Sequence, residues 1–238
     1  MKLISKISAL GAVVLLSTAF ASADNIQLGS YATGADPTGN ANTAINFAGF
    51  QFIPQPPSNP LPNPLPQNGT ANSYFLDPGG VWSPALPNST WVGVAPTAGP
   101  VGTSNPDFGY YTFNTTFTAT GVYSGSINVM ADDTTWVLLN GVPIVTIAPL
   151  GSDITCADTV PSCQNQDLVS LSGLNLSGTN TLTFIVQQQG VGPAGGTNDP
   201  SGFDFSATLS QTPEPNTLLL LGTGLLGSAG ALFRRMRA

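Results

Sequence analysis

Aspartate is the only residue type with a charged side chain between residues 24 and 211, which hold eleven aspartates and no glutamate, lysine, arginine or histidine. Nucleophilic catalysis by serine or cysteine normally needs a histidine or lysine base, so paired carboxylates are the acid–base chemistry that remains. Asp132 and Asp133 are adjacent and form the candidate pair. A glycoside hydrolase that uses two aspartates is one interpretation. We favour the other interpretation, that the chain is not an enzyme.

The same carboxylates suit a calcium ion. Ca²⁺ binds carboxylate and carbonyl oxygens, and it needs no histidine. Asp132 and Asp133 lie on a predicted turn between two strands, and Asp199 lies in a predicted loop before the last strand. In a β-sandwich these two turns can meet at one end, which predicts a calcium site made of the three aspartates. The alternative is that the aspartates form local hydrogen bonds to the turn backbone.

Two tryptophans suggest a carbohydrate surface. Trp82 and Trp91 are separated by a turn-rich segment. An exposed indole stacks on a sugar ring, whereas a buried indole fills a core. The sequence leaves both interpretations open, and the exposure of the two rings discriminates between them. We predict no organic cofactor.

The two cysteines, Cys156 and Cys163, are close in sequence. Outside the cytoplasm such a pair is expected to form a disulfide that closes a short loop. The chain-entropy model gives such a bond about 2 to 3 kcal/mol for a loop of about eight residues. A redox motif or a metal site is disfavoured because the spacing is not Cys-x-x-Cys and no histidine accompanies the pair.

The charge distribution excludes two classes of partner. All five basic residues lie in the two end segments of the chain, so the segment between residues 24 and 211 carries eleven negative charges and no positive one. Nucleic-acid binding needs cations that neutralise phosphates, and adsorption to anionic lipid needs them too. We therefore expect neither nucleic acid nor an anionic membrane surface as a partner of this segment.

The periodicity of the central segment predicts an all-β domain over residues 24–211. Apolar and polar residues alternate from Tyr111 to Thr118, as a half-buried strand requires. Asn140-Gly141 is a strong hairpin signal, and no segment shows a helical period. We predict that 110–147 forms a meander of four antiparallel strands and that 168–176 is a connector. Further strands are predicted at 26–28, 45–53, 181–189 and 203–209.

A proline-rich segment interrupts this pattern at residues 54–66, where seven of thirteen residues are proline. Such a run favours an extended polyproline conformation and cannot join a sheet, because proline has no N–H to donate. We interpret it as a semi-rigid surface loop. A docking motif for a partner with an aromatic groove is the alternative.

The first 23 residues are typical of a signal peptide. Lys2 and Lys6 precede an apolar stretch, and Ala21-Ser22-Ala23 offers the small residues that signal peptidase accepts. The mature chain is therefore expected to begin at Asp24, and export makes signal peptidase its first partner.

The last segment, residues 212–238, holds a second targeting pattern. Pro213-Glu214-Pro215 cannot continue a strand. An apolar run over 217–233 follows, at the lower limit for a transmembrane helix, and basic residues then favour a cytoplasmic end. These basic residues are Arg234, Arg235 and Arg237.

This order of residues resembles the PEP-CTERM sorting signal of Gram-negative bacteria. The resemblance implies an exported protein that is held in the membrane by its C-terminal helix and is then processed near Pro213-Glu214-Pro215 by an exosortase, a membrane enzyme. The processed protein is expected at the cell surface or in the extracellular matrix.

The central segment is similar, more weakly, to jelly-roll sandwiches of the galactose-binding-like and PA14-like kind. The similarity lies in Trp82, Trp91, the strand 110–117, Leu139-Asn140-Gly141 and the segment 178–184. It implies an antiparallel jelly-roll-like β-sandwich and suggests a glycan as ligand. We therefore predict a non-catalytic adhesion or exopolysaccharide-associated protein, with a calcium-assisted carbohydrate-binding module as the alternative.

Overall fold

The computed structural model of the chain describes residues 24–30, 39–53, 61–69, 71–146, 167–188, 199–212 and 215–236. The predicted signal peptide and the predicted disulfide of Cys156 and Cys163 lie outside these residues. The described residues form eleven strands and one helix. In chain order these are β1 (Asn25–Gly29), β2 (Ala41–Phe52), β3 (Ala71–Phe75), β4 (Val92–Gly93), β5 (Gly109–Thr118), β6 (Gly121–Asp132), β7 (Thr134–Leu139), β8 (Val142–Val145), β9 (Asp167–Leu176), β10 (Thr179–Gln188), β11 (Gly202–Gln211) and α1 (Pro215–Met236).

The strands form one continuous antiparallel sheet that folds back on itself. The strand order is β8-β7-β10-β5-β2-β3-β4-β11-β6-β9, and β1 pairs with β11. Side chains from the two halves meet in the core, where Phe184 of β10 lies 4.7 Å from Phe203 of β11 and 4.5 Å from Phe205, between ring centroids. The architecture is a nearly closed antiparallel sandwich, which confirms the predicted all-β class.

Alternation along the strands explains the core. On β10, Leu182, Phe184 and Val186 are buried in the main apolar cluster, whereas Ile185 belongs to a separate cluster on the opposite face. A strand places successive side chains on opposite faces, so β10 contributes to both. The half of the sheet that contains β10 is therefore covered on both sides.

The predicted four-stranded meander is wrong except for its last hairpin. β7 and β8 pair across Asn140 and Gly141, whose φ values are 50° and 81°. These positive angles are what a tight two-residue hairpin requires. β5 does not continue into a hairpin with β6. It pairs with β10 and β2, whereas β6 pairs with β11 and β9, so the turn at Gly121 passes the chain from one half of the sheet to the other.

The segment predicted to be a connector, 168–176, is the strand β9. It pairs with β6, and the register shifts where Gly125 faces Leu171 and Tyr123 faces Leu174. Two residues of β9, Ser172 and Gly173, therefore lie opposite the single residue Ser124 of β6, which is a β-bulge at a glycine with φ of 63°. The bulge breaks the two-residue alternation that identifies a strand from sequence.

The helix α1 covers residues 217–233, for which the sequence predicts a transmembrane helix. No helix within the described ranges is long and apolar enough to cross a membrane.

Candidate functional site

The two candidate sugar-stacking tryptophans are core residues. Trp82 is 2% exposed and Trp91 is fully buried, and their rings stack on each other at 4.3 Å between centroids. They lie in a segment that covers the outer face of β6 and β11, and they pack with Met130 of β6. Neither ring presents a face to solvent, so the interpretation as core residues is correct and the stacking interpretation is wrong. We call Leu76, Trp82, Leu86, Trp91, Ala98 and Met130 the tryptophan cluster.

Asp132 is a structural partner of this cluster. Its carboxylate accepts a hydrogen bond of 2.8 Å from the indole N–H of Trp82, and its main-chain carbonyl accepts one of 3.2 Å from the hydroxyl of Ser201. The side chain is 5% exposed. One carboxylate oxygen of Asp132 is thus already committed to a neighbour inside the protein.

The two predicted turns do meet at one end of the sandwich. Asp132 lies opposite Gly202 in the register of β6 and β11. The neighbouring Asp133 is also buried, and its N–H donates to the carbonyl of Gln187 at 3.3 Å. The N–H of Asp199 donates to the Asn105 carboxamide at 3.0 Å.

Within the described ranges, no three acidic, histidine or cysteine side chains form a group that could hold a metal ion. The calcium site therefore stays a prediction, and any ion there would need other oxygen ligands besides the aspartates.

Sequence reasoning missed a third buried carboxylate, Asp204. It lies on β11 between Phe203 and Phe205, which point into the core, so its side chain points to the opposite face. One of its oxygens accepts from the hydroxyl of Ser30 at 2.6 Å, and the other accepts from the N–H of Leu86 at 2.7 Å. Burial raises the pKa of this carboxyl, although hydrogen bonds from Ser30 and Leu86 oppose the shift.

The Ser30 hydroxyl lies between two competing acceptors. The Ser30 hydroxyl lies within hydrogen-bond distance of both the Thr90 carbonyl and Asp204, and it also accepts from the Thr90 N–H at 3.1 Å. A hydroxyl has one hydrogen and cannot donate to both oxygens. If Asp204 is neutral, its own proton donates to Ser30, and Ser30 donates to Thr90. Burial is the largest cause of the raised pKa of Asp204, and the hydrogen bond from Ser30 opposes it.

A second set of aromatic and polar side chains lies on the outer face of the other half of the sheet. Tyr110 of β5 and Trp136 of β7 make an edge-on contact at 5.9 Å, and burial raises the pKa of Tyr110 to about 12. Gln187 of β10 lies opposite Tyr110 in register. We call Tyr110, Thr112, Trp136 and Gln187 the amide–aromatic face. Leu61 and Leu65, from the proline-rich segment, pack over it.

The C-terminal end of β11 lies beside the predicted mature N-terminus. The N–H of Gln211 donates to the carbonyl of Asp24 at 2.8 Å, and the N–H of Thr212 donates to that of Val122 at 2.7 Å. We call this end of the sandwich, formed by Asp24, Val122, Gln211 and Thr212, the motif end. Pro213, which has no N–H, follows at once.

Residues 211–237 match the PEP-CTERM protein-sorting motif. The PEP-CTERM motif indicates an exported protein that is sorted to the cell surface and processed by an exosortase, a membrane enzyme. It contains every residue predicted for the sorting signal. These are Pro213, Glu214, Pro215, Arg234, Arg235 and Arg237. Among them Pro213, Glu214 and Arg237 lie outside the described residues.

Two solved structures show a limited similarity to the chain. The GH26-CBM35 β-(1,4)-mannanase of Podospora anserina is 12% identical over 80% of this chain, with a TM-score of 0.28. The β-glucosidase of Kluyveromyces marxianus in complex with glucose is 10% identical over 74% of this chain, also with a TM-score of 0.28. The aligned regions span 28% and 19% of those chains. No curated protein matches the chain. The jelly-roll resemblance therefore stays a prediction.

Proposed function

We propose that this protein is exported, is cut at its PEP-CTERM motif by an exosortase-type enzyme, and acts at the cell surface or in the extracellular polysaccharide matrix as a non-catalytic β-sandwich. Its function there is adhesion or matrix structure. The sorting motif supports the route, and the sandwich supports a binding or structural task.

The observation that carries the proposal is the junction between the sandwich and the motif. Thr212 makes the last described hydrogen bond of the domain, and the Pro213-Glu214-Pro215 sequence begins at the next residue. Cleavage at the motif therefore removes the tail without removing a strand. The predicted signal-peptide cleavage after Ala23 lies at the same motif end, because Asp24 pairs with Gln211. Both processing steps thus leave the sandwich complete.

The proposal that the sandwich is non-catalytic rests on the burial and the hydrogen bonds of two aspartates. Asp132 and Asp204 are buried and hydrogen-bonded to parts of the loop segment that covers β6 and β11. Catalytic carboxylates must reach a substrate, and a carboxylate held by a buried indole or a buried amide serves packing instead. If purified protein hydrolyses a glycan panel and an Asp132→Asn, Asp133→Asn double variant does not, the protein is an enzyme.

Intact-mass analysis of fractionated cells tests the proposed route. In the native host we expect a soluble or surface form that begins near Asp24 and ends near Pro213. A variant with Pro213-Glu214-Pro215 replaced by Ala-Ala-Ala should keep residues 214–238 and stay in the membrane fraction. If the wild-type protein also keeps its full tail, exosortase processing is wrong. The Ser228→Ala variant, inside the tail but outside the three-residue signature, is the control and should be processed normally.

Calcium-assisted carbohydrate binding is the second candidate function. The observation that favours it is the meeting of two aspartate-bearing loops, where Asp132 lies opposite Gly202 and the hydroxyl of Ser201 reaches the Asp132 carbonyl. Carboxylate, carboxamide and main-chain oxygens from such loops suit Ca²⁺. Calcium in the millimolar range should then raise the melting temperature, and chelator should lower it. An unchanged melting curve in both conditions contradicts this candidate.

A further inference from the structure

The amide–aromatic face contains buried polar atoms without partners. Gln187 is fully buried, and among the described residues nothing makes a hydrogen bond to either polar atom of its carboxamide. The buried hydroxyl of Thr112 also has no partner there. Thr112 and Gln187 share one face, because Thr112 lies opposite Ile185, two residues before Gln187. A buried polar group without a hydrogen bond costs free energy, so this face is suited to a partner that supplies hydrogen bonds.

The segment that covers this face is poor in donors. Leu61 and Leu65 pack against the apolar cluster of Tyr110, Trp136, Leu138 and Ile185, and prolines at 62, 64 and 66 have no N–H. We call residues 61–66 the proline cover. The apolar side chains of the cover shield the aromatic cluster from water, and no described residue makes a hydrogen bond to the Gln187 carboxamide. The cover thus protects the rings and leaves the polar atoms unpaired.

Two contacts fasten the proline cover at one end, namely the exposed side chain of Asn68 and the N–H of Gly69, which donates to the carbonyl of Ala48 at 2.8 Å. The Asn68 carboxamide accepts from the N–H of Phe50 at 2.8 Å and donates to the carbonyl of Phe50 at 3.0 Å, as a neighbouring strand residue would. Gly49 makes room for the cover, since a Cβ there would lie 2.6 Å from the main-chain carbon of Pro66. Removal of the Asn68 side chain should therefore loosen the cover without disturbing the core.

The chemistry of this face selects a ligand class. The face combines aromatic rings of Trp136 and Tyr110 with a carboxamide and a hydroxyl. Sugar rings stack on aromatic side chains and exchange hydrogen bonds with such polar groups. No cation exists between residues 24 and 211 to pair with an anionic polymer. We propose that the amide–aromatic face is a binding site for a neutral saccharide and that the proline cover occupies it in the free protein. This inference rests on the proposed matrix function.

Binding of the full-length protein to immobilised polysaccharides tests the site. The probes are dextran and mannan as neutral polymers and alginate as the anionic one. Asn68→Ala should strengthen binding to at least one neutral polymer about tenfold and should not create binding to alginate. Asn72→Ala, which alters another exposed asparagine on the neighbouring strand β3, is the matched control and should change nothing. Stronger alginate binding than neutral binding would overturn the assignment.

Variants of two adjacent glutamines, Gln187 and Gln188, distinguish an effect on binding from an effect on folding. Gln187→Met removes the unpaired carboxamide from the amide–aromatic face and should weaken neutral-polymer binding of the Asn68→Ala protein about tenfold. Gln188→Met removes an equally buried and unpaired carboxamide from the opposite face of β10, so it should leave binding unchanged. Neither variant should lower the melting temperature, because methionine is apolar and of similar size.

The outcomes of these experiments test the inferred binding site and the proposed matrix function separately. If neutral polymers bind and Gln187→Met has no effect, the saccharide surface lies elsewhere, so the inferred site is wrong and the matrix function remains. If neither wild type nor Asn68→Ala binds any polymer, the inference is wrong. The processing experiment then decides separately whether the protein is sorted as proposed.

Discussion

Two buried aspartates hold the same loop segment in place. Asp132 accepts a hydrogen bond from the Trp82 indole, and Asp204 accepts one from the N–H of Leu86, four residues later. Both carboxylates belong to adjacent strands of the half of the sheet that this segment covers. A domain without a cation uses neutral donors to stabilise its buried acids.

Asp204 should make the protein more stable as the pH falls. Its folded-state pKa is raised above the ordinary value of about 3.9, so the folded state binds a proton that the unfolded state releases. The stabilising contribution is complete below the unfolded-state pKa and is lost as the pH rises through the folded-state pKa. Urea unfolding at pH values from 4 to 8 should therefore show a free energy of unfolding that declines with increasing pH.

Asp204→Asn is the variant that isolates this effect. Its amide can donate to Ser30 and accept from Leu86, as the protonated acid does, so the part of the decline that comes from residue 204 should disappear. Asp204→Leu should instead lower stability at every pH, since it leaves the buried Leu86 N–H unpaired. An Asp204→Asn protein with the full wild-type pH dependence would show that Asp204 is not the source of the decline.

Asp132→Ala should destabilise the protein through the tryptophan cluster. The change leaves the buried N–H of Trp82 without an acceptor, which costs about 1 to 3 kcal/mol. Chemical denaturation in calcium-free buffer measures the loss. Asp132→Asn keeps an acceptor oxygen and should cost less than Asp132→Ala, and equal losses in the two variants would contradict this role.

At the level of the strands, sequence patterns predicted those elements whose side chains alternate without interruption. β5 and β10 were predicted because their apolar residues recur every second position, and the hairpin of β7 and β8 because Asn140-Gly141 favours positive φ. β9 was missed because its bulge at Gly173 breaks the alternation. The pairing of β5 with β10 and β2 could not be predicted, since local patterns specify strands but not their neighbours.

Asn140 should stabilise the start of β10 as well as the turn in which it lies. Its carboxamide accepts from the N–H of Thr181 and donates to the carboxamide of Asn180, both at 2.9 Å, so it joins the hairpin to the start of β10. Asn140→Gly keeps a residue that tolerates positive φ but loses both contacts, and we expect a loss of about 1 to 2 kcal/mol in urea unfolding.

The comparison for Asn140→Gly is Gly141→Ala. A Cβ at Gly141 meets nothing within 4 Å, so this change tests only the φ of 81°. It should cost about 1 kcal/mol. If Asn140→Gly is neutral while Gly141→Ala is costly, the carboxamide contacts contribute nothing.

For the molecule as a whole, the sequence predicted export and sorting better than it predicted the candidate binding site. The sorting motif is contiguous, so 27 residues sufficed to identify it, whereas each face of the sandwich draws residues from distant segments. Trp136, Tyr110 and Gln187 meet only because β7, β10 and β5 are neighbours. Asp204 was missed because a single acid between two phenylalanines is also the pattern of a solvent-exposed position.

The sandwich should fold without its sorting tail. A chain that ends at Thr212 keeps every described strand pair of β11 and should melt at the temperature of the full-length protein. A chain that ends at Thr208 loses the buried Leu209 and the pairs to Asp24 and Val122, and it should melt at least about 5 °C lower. Differential scanning calorimetry measures both. A lower melting temperature for the longer chain would show that the tail stabilises the domain.

The position of β11 in the sheet determines how the protein resists mechanical unfolding. This strand has five register pairs with β1 on one side and ten with β6 on the other, and it ends at the PEP-CTERM motif. When a tension applied through the C-terminal side of Thr212 is directed along the axis of β11, it acts perpendicular to the hydrogen bonds that join antiparallel strands. The force therefore loads both rows of bonds in shear, all together, so extraction along this axis meets far more resistance than peeling a strand from an edge.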